Sequence, residues 1–446
     1  MPVPAHKKRA VSIPNLLDAG YLTALTAAAP WLAWRSMRTG RYRQDWRARW
    51  AGTRQFNDSL VDRVWLHGVS VGEVNLLPGL VGHWQQQEPS ARFVISSTTD
   101  TGLSLARRYF SDEVVFRCPL DFSWAVQRTL SKLEPRLLVL AELELWPNLI
   151  RSATAMKIPV AVVNARLSER SFRGYWRVRA LLRTSFSRLS LVCAQTPEYA
   201  ERFVALGAPH SRVFTTGCLK FDDARTERTD PEIALRRKWI GSKPEHRVWL
   251  AGSTQAPEEE MALQSYMNLR AAHPELRLAL VPRHPERGDE VANLIRRFGL
   301  NVVRRSQTPP PADTPWNQQT VALIDTVGEL KWWWGLSDIA FVGGSMGSRG
   351  GQNMLEPAGF GAAVATGPNT VNFRDIVQLL REGDGLVIVA DQPSMEAFVR
   401  RALIDRDWAE QLGGRAQRIV ISHRGATSRT VERLLDVMRP ASRQAA

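Results

Sequence analysis

A chain of 446 residues, 44% hydrophobic and 23% charged, has ordinary globular composition and enough length for two domains with full cores. Three cysteines (Cys118, Cys193, Cys218) lie far apart and the eight histidines are scattered. Neither a disulfide framework nor a metal-ligand spacing is present, and a reducing, cytoplasmic compartment is the default. The formal net charge of +15 is concentrated: residues 1–54 hold ten Lys/Arg against two acids, Asp18 and Asp45, a net +8.

Because that cluster is confined to the N-terminus, it points to an anionic membrane surface and away from a nucleic-acid-binding protein. Sixteen tryptophans, including Trp31, Trp34, Trp46 and Trp50, fit a lipid-headgroup interface. The stretch from Ile13 to Trp34 is about long enough to span a bilayer, but Asp18 and its threonines make it a poor spanning helix; an anchor or interfacial helix is expected, with an ordinary core helix as the alternative. No cleavage site of small residues follows it, so a removed signal peptide is not expected.

From Asp62 apolar runs alternate with helix-like stretches. Strands are expected at Arg63–Leu66, Arg92–Ser97, Val114–Arg117, Leu137–Ala141, Val160–Val163, Leu191–Ala194 and Val213–Thr216. Helices run to Trp84, from a cap at Asp100 to Tyr109, and over Phe122–Leu133 and Pro197–Leu206. The polar stretch T-E-R-T-D-P (226–231) reads as a domain boundary. The pattern then restarts, with strands at Val248–Ala251, Leu276–Val281, Val321–Ile324, Ile339–Val342 and Ala363–Thr366. The segment 308–315 reads as an exposed loop, and the tail from Ser394 as helices. Repeated strand–helix order predicts doubly wound parallel sheets, α/β in class, with ligands at strand C-termini in a crevice between two domains. The expected division is 1–54, a membrane-associating segment; 55–228, a Rossmann-like acceptor domain; and 229–446, a Rossmann-like donor domain whose last helices could pack back on the first.

Candidate chemistry gathers at the ends of these strands. Glu73, after the V-S-V-G turn, opens a helix; it is either a capping acid or a general base, with Gly72 permitting close approach of a substrate. Glu142 and Glu144 alternate at a strand end, which would aim both carboxylates the same way. Lys220 lies just past another strand. In the second half Pro282, Arg283 and His284 follow a strand and suit a phosphate or carboxylate. Ser253 and Thr254, then Val327, Gly328 and Glu329, occupy similar places. The stretch Phe341–Pro357 (F-V-G-G-S-M-G-S-R-G-G-Q-N-M-L-E-P) joins a strand to a helix through a glycine-rich loop. With Asn353 as cap, then Met354, Leu355 and Glu356, it reads as a cradle for an anion. It matches neither the dinucleotide nor the P-loop spacing. The only D-x-D, Asp405–Asp407, falls in the helical tail, so a metal-dependent sugar-nucleotide site is not supported. Nucleotide-type contacts in one half and acid/base candidates in the other suggest a glycosyltransferase.

Several segments in order resemble the 3-deoxy-manno-octulosonic acid (Kdo) transferases of lipid A biosynthesis: H-G-V-S-V-G-E (67–73), E-L-E-L-W-P-N (142–148), V-N-A-R-L-S-E-R-S (163–171), L-K-F-D (219–222), V-P-R-H-P-E-R (281–287), G-E-L (328–330), R-G-G-Q-N-M-L-E-P (349–357) and G-P-N-T-V-N-F (367–373). The resemblance implies a GT-B fold, two Rossmann-like domains facing a cleft, at the cytoplasmic face of a Gram-negative-type inner membrane. It implies inverting, metal-independent transfer of Kdo from CMP-Kdo to the tetraacylated lipid A precursor, with no cofactor. Glu73 would be the base, and Glu142, with Glu144 beside it, and Lys220 would stabilise the transition state. CMP would be held by Pro282-Arg283, Val327-Gly328-Glu329 and Asn353 to Glu356. Leu143, Val327, Gln352 and Met354 depart from the family's usual residues. A GT-B transferase or epimerase using a UDP-sugar is the alternative.

Overall fold

The computed structural model describes residues 15–39, 49–50, 63–111, 114–307 and 316–439. It divides into two units, 1–219 with 425–446 and 220–424. The basic residues of 1–14, 40–48 and 51–54 and the expected loop at 308–315 lie outside the described residues.

The first unit holds β1 (Arg63–His67), β2 (Arg92–Ser97), β3 (Val115–Arg117), β4 (Leu137–Ala141), β5 (Val160–Ala165), β6 (Leu191–Ala194) and β7 (Val213–Thr215). They form a parallel sheet in the order β3-β2-β1-β4-β5-β6-β7. Both faces are covered, which is why its strands read as continuous apolar runs. Trp65, Leu138, Leu140, Val160 and Val162 join one core cluster. Their neighbours Val64, Leu66, Leu137, Val139 and Val163 point into the other, as a period of two requires. Helix Ala426–Met438 buries Val431 and Leu434 in that second cluster, so the chain's last helix belongs to the first unit.

The second unit holds β8 (Arg247–Thr254), β9 (Leu276–Pro282), β10 (Asn301–Arg304), β11 (Thr320–Leu323), β12 (Ile339–Val342), β13 (Ala363–Thr366) and β14 (Val387–Ile388), parallel and ordered β10-β11-β9-β8-β12-β13-β14. Strands β10 and β14 are absent from the sequence reading; they are short and partly exposed edge strands without a clear apolar run.

Several expectations are corrected. The expected boundary after residue 228 falls inside the second unit, because Arg228 donates to the Phe360, Gly335 and Ser337 carbonyls and Arg225 lies 3.8 Å over Trp332. Tryptophan content signals core more than interface: Trp65, Trp84, Trp249, Trp333 and Trp334 are fully buried, and Trp50 stacks on Phe122 at 4.9 Å. Thr99, not Asp100, caps the helix ending at Tyr109, while Asp100 pairs with Arg117 at 2.6 Å. Asp405 is itself a cap, between helices Gln392–Ile404 and Arg406–Ser422.

Helix Leu16–Thr39 buries Asp18 in its first turn and ends in exposed residues. Asp18 is fully buried, whereas Trp31, Trp34 and Met37 are about half exposed or more. Arg35 and Arg38 lie 4.9 and 5.0 Å over the Trp31 and Trp34 rings. Among the described residues no helix is long and apolar enough to cross a membrane.

Candidate active site

In the first unit the chemistry sits at the C-terminal ends of β1 and β4, which are neighbours in the sheet. After β1 the chain turns through Gly68-Val69-Ser70 into the four-residue helix Val71–Val74. The S-V-G-E stretch closes as a reciprocal cap: Ser70 Oγ accepts from Glu73 N at 3.3 Å and donates to Glu73 Oε1 at 2.8 Å. Val69 N donates to Glu73 Oε2 at 2.6 Å. Ser97 and Thr99 hydroxyls both donate to the Val69 carbonyl, fixing the turn from β2. Glu73 is therefore a capping acid, and a carboxylate held in one orientation with lone pairs to spare. A Cβ added at Gly72 would meet only Ser70 Oγ, at 3.7 Å, so packing does not require that glycine.

Glu142 and Glu144 do not alternate along an extended strand. β4 ends at Ala141 and Glu142 adopts a left-handed backbone (φ 56°), anchored by Glu142 N donating to the Val163 carbonyl. A strained non-glycine residue at a strand end is the kind of outlier found at functional sites. The carboxylates still gather, through this turn and not through strand alternation. Burial raises the Glu73 carboxyl above the usual carboxylate range, hydrogen bonds from Val69 and Ser70 pull it back, and the charge on Glu142 pushes it up again. Glu144 is pushed up to about 7 by burial and then by Glu73, with Trp146 Nε1 donating to it at 3.0 Å. A carboxyl pushed up to about 7, as at Glu144, can hold or release a proton near neutral pH, which suits proton transfer.

His67, last in β1, was missed in the sequence. Its Nδ1 lies 2.8 Å from Ser96 Oγ, its Nε2 is buried without a hydrogen-bond partner, and burial pushes its pKa down to about 4. The imidazole is neutral at physiological pH.

In the second unit, the glycine loop does bind an anion, but one of the protein's own. Glu258, buried in the first turn of helix Glu258–Leu269, accepts from Gly344 N (2.7 Å), Ser345 N (2.8 Å), Met346 N (3.0 Å) and Gln255 N (2.9 Å). Gly343 is needed for that approach, since a Cβ there would meet Glu258 Oε2 at 2.6 Å. The N–H groups of 344–346 are thus committed to a carboxylate. Glu258 is one of three acids in its helix's first turn, and its bonds to the loop set it apart, since Glu259 is equally buried.

Further along the loop, Asn353 Oδ1 accepts from Leu355 N at 3.2 Å, and its Nδ2 donates to Glu356 Oε1 at 3.2 Å. The helix starts at Leu355 with Met354, not Asn353, in the cap position. Met354 and Leu355 side chains are fully buried, leaving only their backbone for a ligand. Burial raises the Glu356 carboxyl, while Asn353 and the nearby cations Lys331 and Arg283 lower it. Arg283 and His284, after the buried Pro282, are exposed, and Arg283 N donates to the Thr254 carbonyl. Ser253 is left-handed (φ 55°), and the Thr254 hydroxyl is buried without a hydrogen-bond partner. Arg283, Lys331, Asn353 and Glu356 therefore form one polar, cationic group.

Glu329, one of the residues expected to hold CMP, has charged partners of its own. Arg305 Nε donates to it at 2.7 Å, Arg236 Nη2 at 3.2 Å and Thr326 Oγ1 at 3.1 Å. Despite burial, these partners hold it below the usual range. Its carboxylate is engaged in an ion-pair network; Val327 and Gly328 (φ 86°) beside it are the open part, Val327 being 72% exposed. Lys220 lies in the second unit, its ammonium 5.6 Å above the Phe373 ring. Among the described residues no three His, Cys, Asp or Glu side chains group as a metal site.

A family model of 3-deoxy-D-manno-octulosonic-acid transferase (kdotransferase) matches residues 37–223. The 3-deoxy-D-manno-octulosonic acid transferase of Haemophilus influenzae is 36% identical over 91% of this chain and 93% of its own length. Two solved structures share the fold at low identity. The UDP-GlcNAc 2-epimerase of Neisseria meningitidis covers 84% of this chain and 100% of its own at 14% identity, TM-score 0.56. A glycosyltransferase of Rickettsia africae covers 85% and 99% at 10% identity, TM-score 0.54.

Proposed function

The chain belongs to the 3-deoxy-D-manno-octulosonic acid (Kdo) transferase family, and from that premise we propose that it moves Kdo from CMP-Kdo to a hydroxyl of the tetraacylated lipid A precursor, lipid IVA, with inversion at the anomeric carbon. The observation that carries the reading is Glu73, a buried carboxylate fixed by Val69 and Ser70 beside Glu142 and Glu144. Glu73 takes the proton of the acceptor hydroxyl as its oxygen attacks. The bond from the anomeric carbon to the CMP phosphate breaks, and its electron pair leaves with CMP. Positive charge growing on the sugar is favoured by the carboxylates of Glu142 and Glu144. Arg283, Lys331 and the Asn353–Glu356 turn hold CMP, and Lys220 balances charge on the donor.

The epimerase-like fold keeps a UDP-sugar reading in play, and a thermal-shift comparison separates the two. CMP at 100 times its dissociation constant should stabilise the protein by about 2.7 kcal/mol, with UDP giving no comparable shift at the same concentration. A preference for UDP would remove CMP-Kdo as donor.

The reading also places the protein on the cytoplasmic face of an inner membrane. Trp31, Trp34 and Met37, with Arg35 and Arg38 beside them, suit the headgroup region. Each basic residue near an anionic surface contributes about 1 kcal/mol. Vesicles containing phosphatidylglycerol should therefore retain the full chain and release it as salt rises, whereas a chain lacking residues 1–39, and with them Lys7, Lys8, Arg9, Arg35 and Arg38, should bind more weakly by roughly a hundredfold or more. Equal binding of both would count against this assignment.

A further inference from the structure

The helix Leu16–Thr39 is fastened to the catalytic loop by a network that attachment to a membrane would not require. Asp18 Oδ1 accepts from Ser123 N (2.9 Å) and Asn148 Nδ2 (3.1 Å); Asp18 Oδ2 accepts from Ser123 Oγ (2.6 Å) and Asn15 N (2.9 Å). Asn15 Nδ2 donates to Asn148 Oδ1 at 2.9 Å. Tyr21 OH donates to Asp121 Oδ2 at 3.0 Å. Asp121 in turn caps helix Pro147–Ala155, accepting from Asn148 N (3.0 Å) and Leu149 N (2.8 Å), and Asn148 Nδ2 donates to the Asp121 carbonyl at 2.6 Å.

Asn148 closes the segment that begins at Glu142. That segment leaves β4 in a left-handed turn, carries Glu142 and Glu144, and enters the helix at Pro147. Its first end is fixed by Glu142 N on the Val163 carbonyl. Its second end is fixed where Asn148 and Leu149 meet Asp121, Asp18 and Asn15, while Leu143, Leu145 and Trp146 between the two ends pack against the core. The five residues between these two anchors include Glu144, and the polar anchor sets where they enter the helix; Asn148 is fully buried, its amide bonded to Asn15, Asp18 and Asp121.

We propose that Asp18, acting through Asn148, is a positioning residue for Glu142 and Glu144, so that the N-terminal helix shapes the active centre as well as attaching the protein. The inference rests on the catalytic reading given above. It makes turnover depend on the helix even where no membrane is present.

The test uses the full-length chain in detergent micelles, where vesicle attachment does not enter. Asp18→Ala should lower kcat by about 10- to 100-fold, the scale of a small misplacement of reacting groups, with KM for CMP-Kdo unchanged. Amide exchange over 142–149 should accelerate while exchange in β1 and β4 stays as it was. Asp18→Asn keeps an acceptor oxygen for Ser123 N and should recover part of the rate. Tyr21→Phe removes one hydrogen bond to Asp121, should fold whether or not Asp18→Ala does, and should give a smaller fall of the same kind. Unchanged kcat in these variants, or exchange that rises uniformly through the unit, would overturn the proposal. If the unsubstituted protein transfers no Kdo, the catalytic reading fails by itself, and the exchange over 142–149 still reports whether Asp18 sets the loop.

Discussion

Glu73→Gln should lower kcat by roughly 10²–10⁴-fold, the contribution of a positioned general base, while leaving CMP binding intact. Glutamine keeps the length of the side chain and an oxygen for the Val69 N–H, so the cap largely survives. What is lost is the capacity to take a proton. The pH dependence of the unsubstituted protein follows from the same carboxyl. The base works when ionised, and burial with Glu142 nearby sets its pKa above the usual carboxylate value. The rate should therefore rise with pH along a limb displaced upward from the ordinary glutamate range. Stability runs the other way. A carboxyl that binds its proton more tightly when folded contributes less as pH rises from the unfolded value through the folded one. For Glu144 that window runs from 4.5 to about 7. Glu144→Gln should flatten the fall in stability across it, measured by denaturant unfolding at several pH values. A Glu73→Gln protein with full turnover would dismiss Glu73 as the base.

The second large effect concerns Glu258. Its two oxygens satisfy four backbone N–H groups, three of them in the glycine loop. Removing an acceptor leaves buried donors unpaired at about 1–3 kcal/mol each, so Glu258→Ala should destabilise the second unit by about 3 kcal/mol or more. Glu258→Gln should be nearly as harmful, because its NH2 faces donors and not acceptors. In both, the stabilisation by CMP should weaken as the loop leading to Asn353 loses its shape. Glu260, exposed in the same first turn, serves as the control, and Glu260→Gln should change stability by less than about 0.5 kcal/mol. Equal unfolding midpoints for Glu258→Gln and Glu260→Gln would show that the cradle is dispensable.

These two residues also mark what the sequence could and could not reveal. The parallel sheets were legible because strands covered on both faces are continuous apolar runs, as in Leu137–Ala141 and Ile339–Val342. The family was legible from ordered motifs at strand ends. A glycine loop after a strand announced an anion, but its identity was not written locally: Glu258 lies 86 residues from Gly344. The ion pairs of Glu329 with Arg305 and Arg236, which come from distant elements, were likewise not written locally. Glu142 and Glu144 were recognised by type, yet their arrangement depends on a left-handed residue that alternation does not foresee. Asp18 read as a flaw in an apolar helix, whereas it is buried in hydrogen bonds reaching 105 and 130 residues along the chain. Residue type and local pattern are carried by the sequence; the partner of a buried charge is decided by the fold.

Transfer of Kdo to a lipid acceptor is read most directly from the mass of the lipid product. The purified protein should be incubated with CMP-Kdo and lipid IVA in detergent and the lipid weighed by mass spectrometry. Lipid mass should rise by whole Kdo increments, with release of CMP, and UDP-sugars should give no product. An acceptor of unchanged mass in the presence of CMP-Kdo, or a product formed from a UDP-sugar, would contradict it.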